Sequence, residues 1–310
     1  MQHVQINSVN ISIEKGTIKK PVDQIELTHY GVSGDAHAGT WNRQVSLLGT
    51  ESIIKFEQEA GRKVACGEFA ENITTTGIDL WLTHPLDRFT VGEIELEVTQ
   101  IGKECHGTSC AIFKEVGNCV MPKEGIFCRV VSPGTLSAGM ELEYHPKVFR
   151  ALVITLSDRA SSGEYEDVSG PRITELLETH FKITNSQSLI INRLIPDDSH
   201  RLEELLHKAK EELVDIVITT GGTGIGPRDF TPDVVKSLLD KEIPGIMEMI
   251  RMKYGAEKPA ALTSRSVAGV MGKSLVFTLP GSVRAVNEYM AEISKSLMHL
   301  VYMLHGLDTH

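Results

Sequence analysis

Residues 215–233 read Asp215-Ile216-Val217-Ile218-Thr219-Thr220-Gly221-Gly222-Thr223-Gly224-Ile225-Gly226-Pro227-Arg228-Asp229-Phe230-Thr231-Pro232-Asp233, and this stretch decides the fold around it. A β-branched run that stops at once on glycines is how a strand of a parallel sheet ends. Lacking Cβ atoms, Gly221, Gly222 and Gly224 let the backbone approach a ligand and turn successive N–H groups into one concavity that suits an anion. Thr220 and Thr223 add hydroxyl donors. Thr231-Pro232 has the pattern of an N-cap followed by proline, which predicts a helix start, with its partial positive charge, facing the same space. Asp229 lies between loop and helix. A carboxylate beside a phosphate is repulsive unless a cation separates them, so Asp229 reads as an organiser of Mg²⁺ and phosphate; in the alternative, Asp229 and Asp233 only stabilise the helix start.

Two familiar glycine signatures do not fit. The P-loop requires Lys-Ser/Thr after its last glycine, and no lysine follows Gly224 or Gly226. Gly222-Thr223-Gly224-Ile225-Gly226 places its last glycine one residue early for a dinucleotide fingerprint, which argues against a nicotinamide oxidoreductase.

Outward from this stretch, residues 150–310 alternate strand and helix patterns. Strands are predicted at Ala151–Leu156, Leu189–Ile195, Asp215–Thr220 and Ser274–Leu279. Helices follow from Ser169, Ser199, Pro232 and Val283, the last running to Leu304. This order implies an α/β domain, a parallel sheet with helices on both faces and its ligands beyond the carboxyl ends of the strands. Polar groups do follow each strand: Ser157-Asp158-Arg159, Pro196-Asp197-Asp198, the glycine loop, and Pro280-Gly281-Ser282. Ser199 and Ser282 also have the chemistry of helix caps.

Residues 1–145 follow another pattern. Short strand-like runs such as Glu93-Ile94-Glu95-Leu96-Glu97-Val98 alternate with turns, and Gly49 to Ala60 has the pattern of a helix. A β-rich, barrel-like first domain is predicted, with His145-Pro146-Lys147 as the linker.

Composition narrows the partners. A formal net charge of -10 without a basic stripe argues against nucleic acid. Met1 to Asn7 is too polar for a signal peptide and no run suits a membrane span, so a cytoplasmic protein is expected. All five cysteines, Cys66, Cys105, Cys110, Cys119 and Cys128, fall in the first half, an odd number that does not suggest a disulfide framework. Cys105, next to His106 and near Lys103, reads either as a thiolate favoured by local positive charge or as a structural thiol. Cys66 and Cys128 read as inert buried thiols, and His37 beside Asp35 as either a phosphate contact or a packed histidine.

The second half resembles the molybdopterin adenylyltransferase family, which includes the G domains of gephyrin. The matching segments are Ser157-Asp158-Arg159-Ala160-Ser161-Ser162-Gly163 with Tyr165 and Asp167, Leu194-Ile195-Pro196-Asp197, the glycine loop through Asp233, Ser264-Arg265 and Leu279-Pro280-Gly281-Ser282. The resemblance implies transfer of AMP from ATP to molybdopterin with release of pyrophosphate. It assigns Asp197 and Asp229 to Mg²⁺ and catalysis, and Gly221, Gly222, Thr223 and Gly224 to the phosphate cradle. Ser157, Asp158, Thr220, Asp233 and Gly281 join the binding residues, with Ser264, Arg265 and Ser282 toward the pterin phosphate.

The first half resembles the MOSC family through Gly34-Asp35-Ala36-His37-Ala38-Gly39, Arg43-Gln44-Val45-Ser46, Gly67-Glu68-Phe69-Ala70-Glu71-Asn72-Ile73, and Glu104-Cys105-His106 onward to Phe127. That implies a module that binds the molybdenum cofactor or carries sulfur for it, with Cys105, Cys110 and Cys119 as its candidate thiols. The adenylyltransferase resemblance implies a homotrimer, and molybdenum-insertion and sulfur-donor proteins are the expected partners. A non-catalytic cofactor carrier or scaffold is the alternative reading.

Overall fold

The four parallel strands of the second half end in register. In the computed structural model, which describes residues 2–104 and 119–307, these are β12 (Val148–Leu156), β13 (Gln187–Ile195), β14 (Ile216–Thr220) and β17 (Ser274–Leu279), numbered along the whole chain. Leu156 pairs with Ile195, Thr155 with Thr220, and Thr220 with Leu279. The segments that follow therefore leave the sheet side by side. The chain divides into two compact units, residues 1–147 and 148–310.

The sheet of the second unit is not wholly parallel. Lys241–Glu242 (β15) and Ala268–Met271 (β16) pair antiparallel at one edge, giving the order β13-β12-β14-β17-β16-β15. Two short strands flanking a helix, Pro244–Gly255, lack the length that periodicity needs to reveal them. In β12, Leu152, Ile154 and Leu156 enter one core layer with Leu202 and Leu206 of the helix Ser199–Glu211, while Phe149 faces the other way and stacks on Phe181 of the helix Ser169–Ile183. The alternation buries both faces of the strand, as helices on both sides require.

The predicted helix from Val283 to Leu304 is two helices, Val283–Ile293 and Leu297–Leu304. Ser294, Lys295 and Ser296 intervene; the Lys295 and Ser296 amides bond only three residues back, to Glu292 and Ile293, and the Ser296 hydroxyl reaches the Ile293 carbonyl. Serine competes for backbone groups in this way, which ends the regular ladder.

Glu292, on the first of these helices, is buried and accepts hydrogen bonds from Lys253 Nζ and Lys295 Nζ at 2.6 Å and from the Tyr254 hydroxyl at 3.1 Å. Lys253 above all, then Lys295, bring its carboxyl from the ordinary 4.5 down to about 2. A carboxylate depressed in the folded state adds stability that is complete above its unfolded pKa and is lost as pH falls through the folded one. The stability gap between the wild type and Glu292→Gln is thus expected to be constant near neutrality and to shrink between pH 4.5 and about 2. Denaturant titrations of both proteins across that range check it; a gap that does not change with pH contradicts it.

The first unit closes into a barrel of seven strands. Its strands are β1 (Gln2–Ile11), β5 (Val45–Gly49), β6 (Ile73–Thr76), β7 (Arg88–Val91), β8 (Ile94–Ile101), β9 (Ile126–Ser132) and β11 (Glu141–His145), in the order β1-β6-β5-β9-β8-β7-β11, and β11 pairs back with β1. Closure removes most of the exposed edge that an open sheet would carry. The short β2 (Lys20–Val22) pairs with the end of β1, and β3 (Gln24–Thr28), β4 (Gly31–Val32) and β10 (Gly134–Ser137) form a small separate sheet. The helix Thr50–Ala60 stands where the sequence predicts it. Alternation along β8 misreads one residue: Glu97 is buried, because Arg88 and Arg129 bring counter-charges to it. Buried charge persists where it is paired.

Candidate active site

The register of the strand ends gathers eight of the predicted residues into one crevice of about 680 Å³. Its lining includes Ser157, Asp158, Asp197, Thr220, Gly222, Asp229, Gly281 and Ser282, with Arg159, Tyr165, Gly226 and Arg228. Each of the four strands contributes the segment that follows it.

The two acids nearest the start of the crevice hold one another through main chain. Asp158 Oδ1 accepts from the Asp197 amide at 2.9 Å, and Asp197 Oδ2 accepts from the Asp158 amide at 3.3 Å. This reciprocal pairing fixes two carboxylates side by side without direct contact between their charges. Ser157 caps the turn Asp158–Ser161 and its hydroxyl lies 3.1 Å from the Tyr165 hydroxyl; Ser282 caps the helix Val283–Ile293.

The glycine loop has reasons for its composition. Gly221 has φ +104°, and a Cβ there would overlap the Leu156 carbonyl; at Gly222, φ +61°, it would lie 2.6 Å from the Thr231 hydroxyl. The Gly221 N–H is not free, because it donates to the Leu279 carbonyl at 3.0 Å. Among the described residues, no hydrogen bond ends on the N–H groups of Gly222, Thr223, Gly224 or Ile225. These four amides make up the donor set of the loop. The Asp229 carboxylate bends back over it: Oδ2 accepts the Gly226 amide at 2.8 Å, and a Cβ on Gly224 would come within 2.7 Å of the same oxygen.

Three expectations change here. Thr231 is the first residue of the helix Thr231–Leu238 and not its cap; its hydroxyl is buried without a partner, beneath Gly222. Asp233 and Arg265 are not part of the crevice lining, because they pair with each other at 2.8 Å. Arg265 also donates to the Gly224 carbonyl at 2.7 Å and to the Asp229 carbonyl, so its guanidinium braces the loop from outside. With those donors engaged, Arg265 braces the loop, and it lies with Ser264 in a separate cavity of about 290 Å³. Of the predicted cradle, Gly222 lines the crevice, and Gly221, Gly224 and the buried Thr223 are not among its lining residues.

Arg228 joins the site as a residue that its sequence pattern alone does not single out. It lines the crevice and bonds Asp158 at 2.8 Å, and its place between Pro227 and Asp229 was the available signal. Asp167 is a further positioning group: its carboxylate takes the Ser169 and Gly170 amides and the Thr155 hydroxyl, tying the helix Ser169–Ile183 to the end of β12.

The first unit has its own pocket, about 370 Å³, lined by Lys15, His37, Trp41, Arg43, Ser46, Asn72, Lys103 and Phe127 among others. Lys15 and Arg43 stand over the Trp41 ring at 5.8 and 5.2 Å. Beneath it, buried Asp35 accepts from Lys19, from Asn72 Nδ2 at 3.1 Å and from the His37 amide at 2.9 Å. Burial alone would raise the Asp35 carboxyl, but His37 and Lys19 hold it well below the usual carboxylate range. His37 thus lines the pocket and is also tied to Asp35.

Cys105 and Cys110 lie outside the described residues. Cys119 packs, partly buried, against the cluster of Leu48, Phe69 and Met121. Cys128 is in the barrel core, where burial pushes its thiol far up, whereas Cys66 is half-exposed and not the buried thiol expected.

Fold and crevice define a class, an α/β domain whose glycine-rich strand-to-helix loop opens on a polar crevice at the carboxyl ends of a mainly parallel sheet. Residues 152–299 match the family model described as a probable molybdopterin binding domain, and residues 34–143 match the MOSC domain. The chain is 35% identical over 163 residues to molybdopterin adenylyltransferase of Helicobacter pylori strain J99, covering 50% of this chain and 86% of that one. The chain belongs, through its second half, to the molybdopterin adenylyltransferase family, and it carries a MOSC domain in its first half. It is also 33% identical over 160 residues to gephyrin of Dictyostelium discoideum, where the match covers 50% of this chain but spans only 22% of gephyrin. A solved molybdopterin biosynthesis protein from Mycobacterium abscessus shares 34% identity, with a TM-score of 0.47, covering 52% of this chain and 99% of that one. No helix among the described residues is long and apolar enough to cross a membrane.

Proposed function

We propose that the second unit transfers AMP from ATP to molybdopterin in a Mg²⁺-dependent reaction of molybdenum cofactor biosynthesis. A terminal phosphate oxygen of molybdopterin attacks the α-phosphorus of ATP, the bond from that phosphorus to the bridging oxygen breaks, and pyrophosphate leaves. The observation that carries this reading is the in-register convergence of four strand ends on one crevice, whose lining brings Asp158, Asp197 and Asp229 together with Gly222 of the glycine loop. Joining two anions by in-line displacement needs alignment and charge neutralisation more than a covalent intermediate.

Among the described residues, no group of three or more His, Cys, Asp or Glu side chains forms a closed metal cage. Mg²⁺ is commonly held by one or two carboxylates together with substrate phosphates and water. Asp197 and Asp229 would hold it in this way; when bound, it neutralises phosphate charge. The amides from Gly222 to Ile225 bind phosphate oxygens, and the Asp158–Asp197 pairing keeps the acids oriented before substrate arrives. In the full-length protein, pyrophosphate release is expected only with ATP, Mg²⁺ and molybdopterin present together. Binding of molybdopterin without any pyrophosphate release would instead establish the carrier reading.

For the first unit we propose an anion-binding module for the cofactor, with Cys105 as its candidate sulfur carrier. The cationic pocket of Lys15, Arg43 and Lys103 around Trp41 and Phe127 supports it. Arg43→Ala is expected to weaken molybdopterin binding to this unit about tenfold, the loss of one charge-assisted contact. Titration of the full-length protein, in a background carrying Asp229→Asn, checks this; unchanged affinity contradicts it. A cytoplasmic homotrimer that works with metal-insertion and sulfur-donor proteins completes the proposal.

A further inference from the structure

We propose that Arg228 is a nucleotide-binding residue of the crevice, and that its ion pair with Asp158 is the contact it exchanges for oxygens of the β- and γ-phosphates. The inference rests on the adenylyl-transfer reading and adds a residue to it.

Arg228 sits on the segment joining the glycine loop to the helix Thr231–Leu238, and it lines the same crevice as Asp197 and Asp229. Its side chain is 76% exposed, and among the described residues its sole hydrogen bond is Nη1 to Asp158 Oδ2 at 2.8 Å. Most donors of its planar fork are therefore uncommitted, in a geometry that suits phosphate bidentately.

Charge makes the exchange favourable. The lining carries three carboxylates, Asp158, Asp197 and Asp229, against two guanidinium groups, Arg159 and Arg228. A nucleotide triphosphate entering this acidic surface needs cationic partners beyond one divalent ion. Arg159 is occupied in stacking over the Tyr165 ring at 5.2 Å. Arg228 is held only by a half-exposed carboxylate, and such exposed pairs contribute about 0–1 kcal/mol. A charge-assisted bond to phosphate is stronger. Asp158 keeps its other oxygen on the Asp197 amide, so losing Arg228 does not release it. Asp229 clasps the Gly226 amide two residues before Arg228, which keeps the loop shaped while the arginine moves.

A purely structural role is the competitor, in which the Arg228–Asp158 pair pins the loop to the end of β12. Calorimetric titration of the full-length protein with Mg²⁺-pyrophosphate and with AMP separates the two roles. Arg228→Ala is expected to weaken pyrophosphate binding at least about tenfold, one charge-assisted contact, and to leave AMP affinity within about twofold, because AMP lacks the phosphates this residue holds. Equal losses of AMP and pyrophosphate binding in Arg228→Ala would assign the pair to structure and overturn the proposal. Unchanged pyrophosphate binding in Arg228→Ala, with a wild type that turns over ATP, sinks this inference alone. A wild type that binds neither ligand sinks the adenylyl-transfer reading with it.

Discussion

Asp229→Asn is expected to lower kcat/KM for AMP transfer by about a thousandfold or more, the several kcal/mol that a lost metal anchor costs. Asparagine is the informative substitution because Asp229 has two jobs. Its Oδ2 accepts the Gly226 amide at 2.8 Å, and an amide oxygen can still accept that bond. The loop is therefore expected to keep its shape while the negative charge disappears. Asp229→Ala removes both, so the difference between the two variants measures the contribution of loop shape. The melting temperature of Asp229→Asn is expected to stay within about 2 °C of the wild type, as for surface changes that leave the core alone. Steady-state pyrophosphate release checks the first part and differential scanning calorimetry the second; near-normal turnover would remove Asp229 from the reaction.

The largest effect on stability is expected at Gly221. Its φ of +104° is a conformation that side chains rarely adopt, and a Cβ would overlap the Leu156 carbonyl, a backbone atom at the end of β12. The Gly221 amide is tied to the Leu279 carbonyl on the other side, so the glycine cannot slide away. Gly221→Ala is expected to destabilise the second unit by at least about 3 kcal/mol, combining backbone strain with steric overlap. Gly163 is the control: its φ is +81° and a Cβ there would meet nothing within 4 Å, so Gly163→Ala carries only the left-handed penalty of about 1 kcal/mol. Both tryptophans, Trp41 and Trp81, are in the first unit, so the readout must be hydrogen exchange in β14 or the circular dichroism of the second unit. Equal losses in the two variants would contradict the packing argument.

Much of this was legible in residue order, for physical reasons. A β-branched run ending on glycine marks the carboxyl end of the strand Ile216–Thr220, and polar groups just past all four parallel strands point to the crevice. Asp197 is legible as an acid just past a strand, and Asp229 as an acid between the glycine loop and the helix. The depth of Arg265 was not legible, because Ser264-Arg265 reads as a polar pair whether it faces a ligand or braces a loop; only the carbonyls of Gly224 and Asp229 decide it. Thr231 was misassigned by one residue because a threonine before proline fits either the cap or the first helical turn. The antiparallel edge of Lys241–Glu242 and Ala268–Met271 is too short for alternation to register. In the barrel, the burial of Glu97 depended on arginines from two other strand positions, which adjacency in sequence does not reveal.

The location of bound nucleotide tests the account most directly. A crystal structure of the full-length protein with AMP is expected to show its phosphate at the loop of Gly222, Thr223 and Gly224, in the crevice lined by Asp158, Asp197 and Asp229. AMP found instead in the cavity beside Ser264 and Arg251, or in the cationic pocket of the barrel, would contradict it.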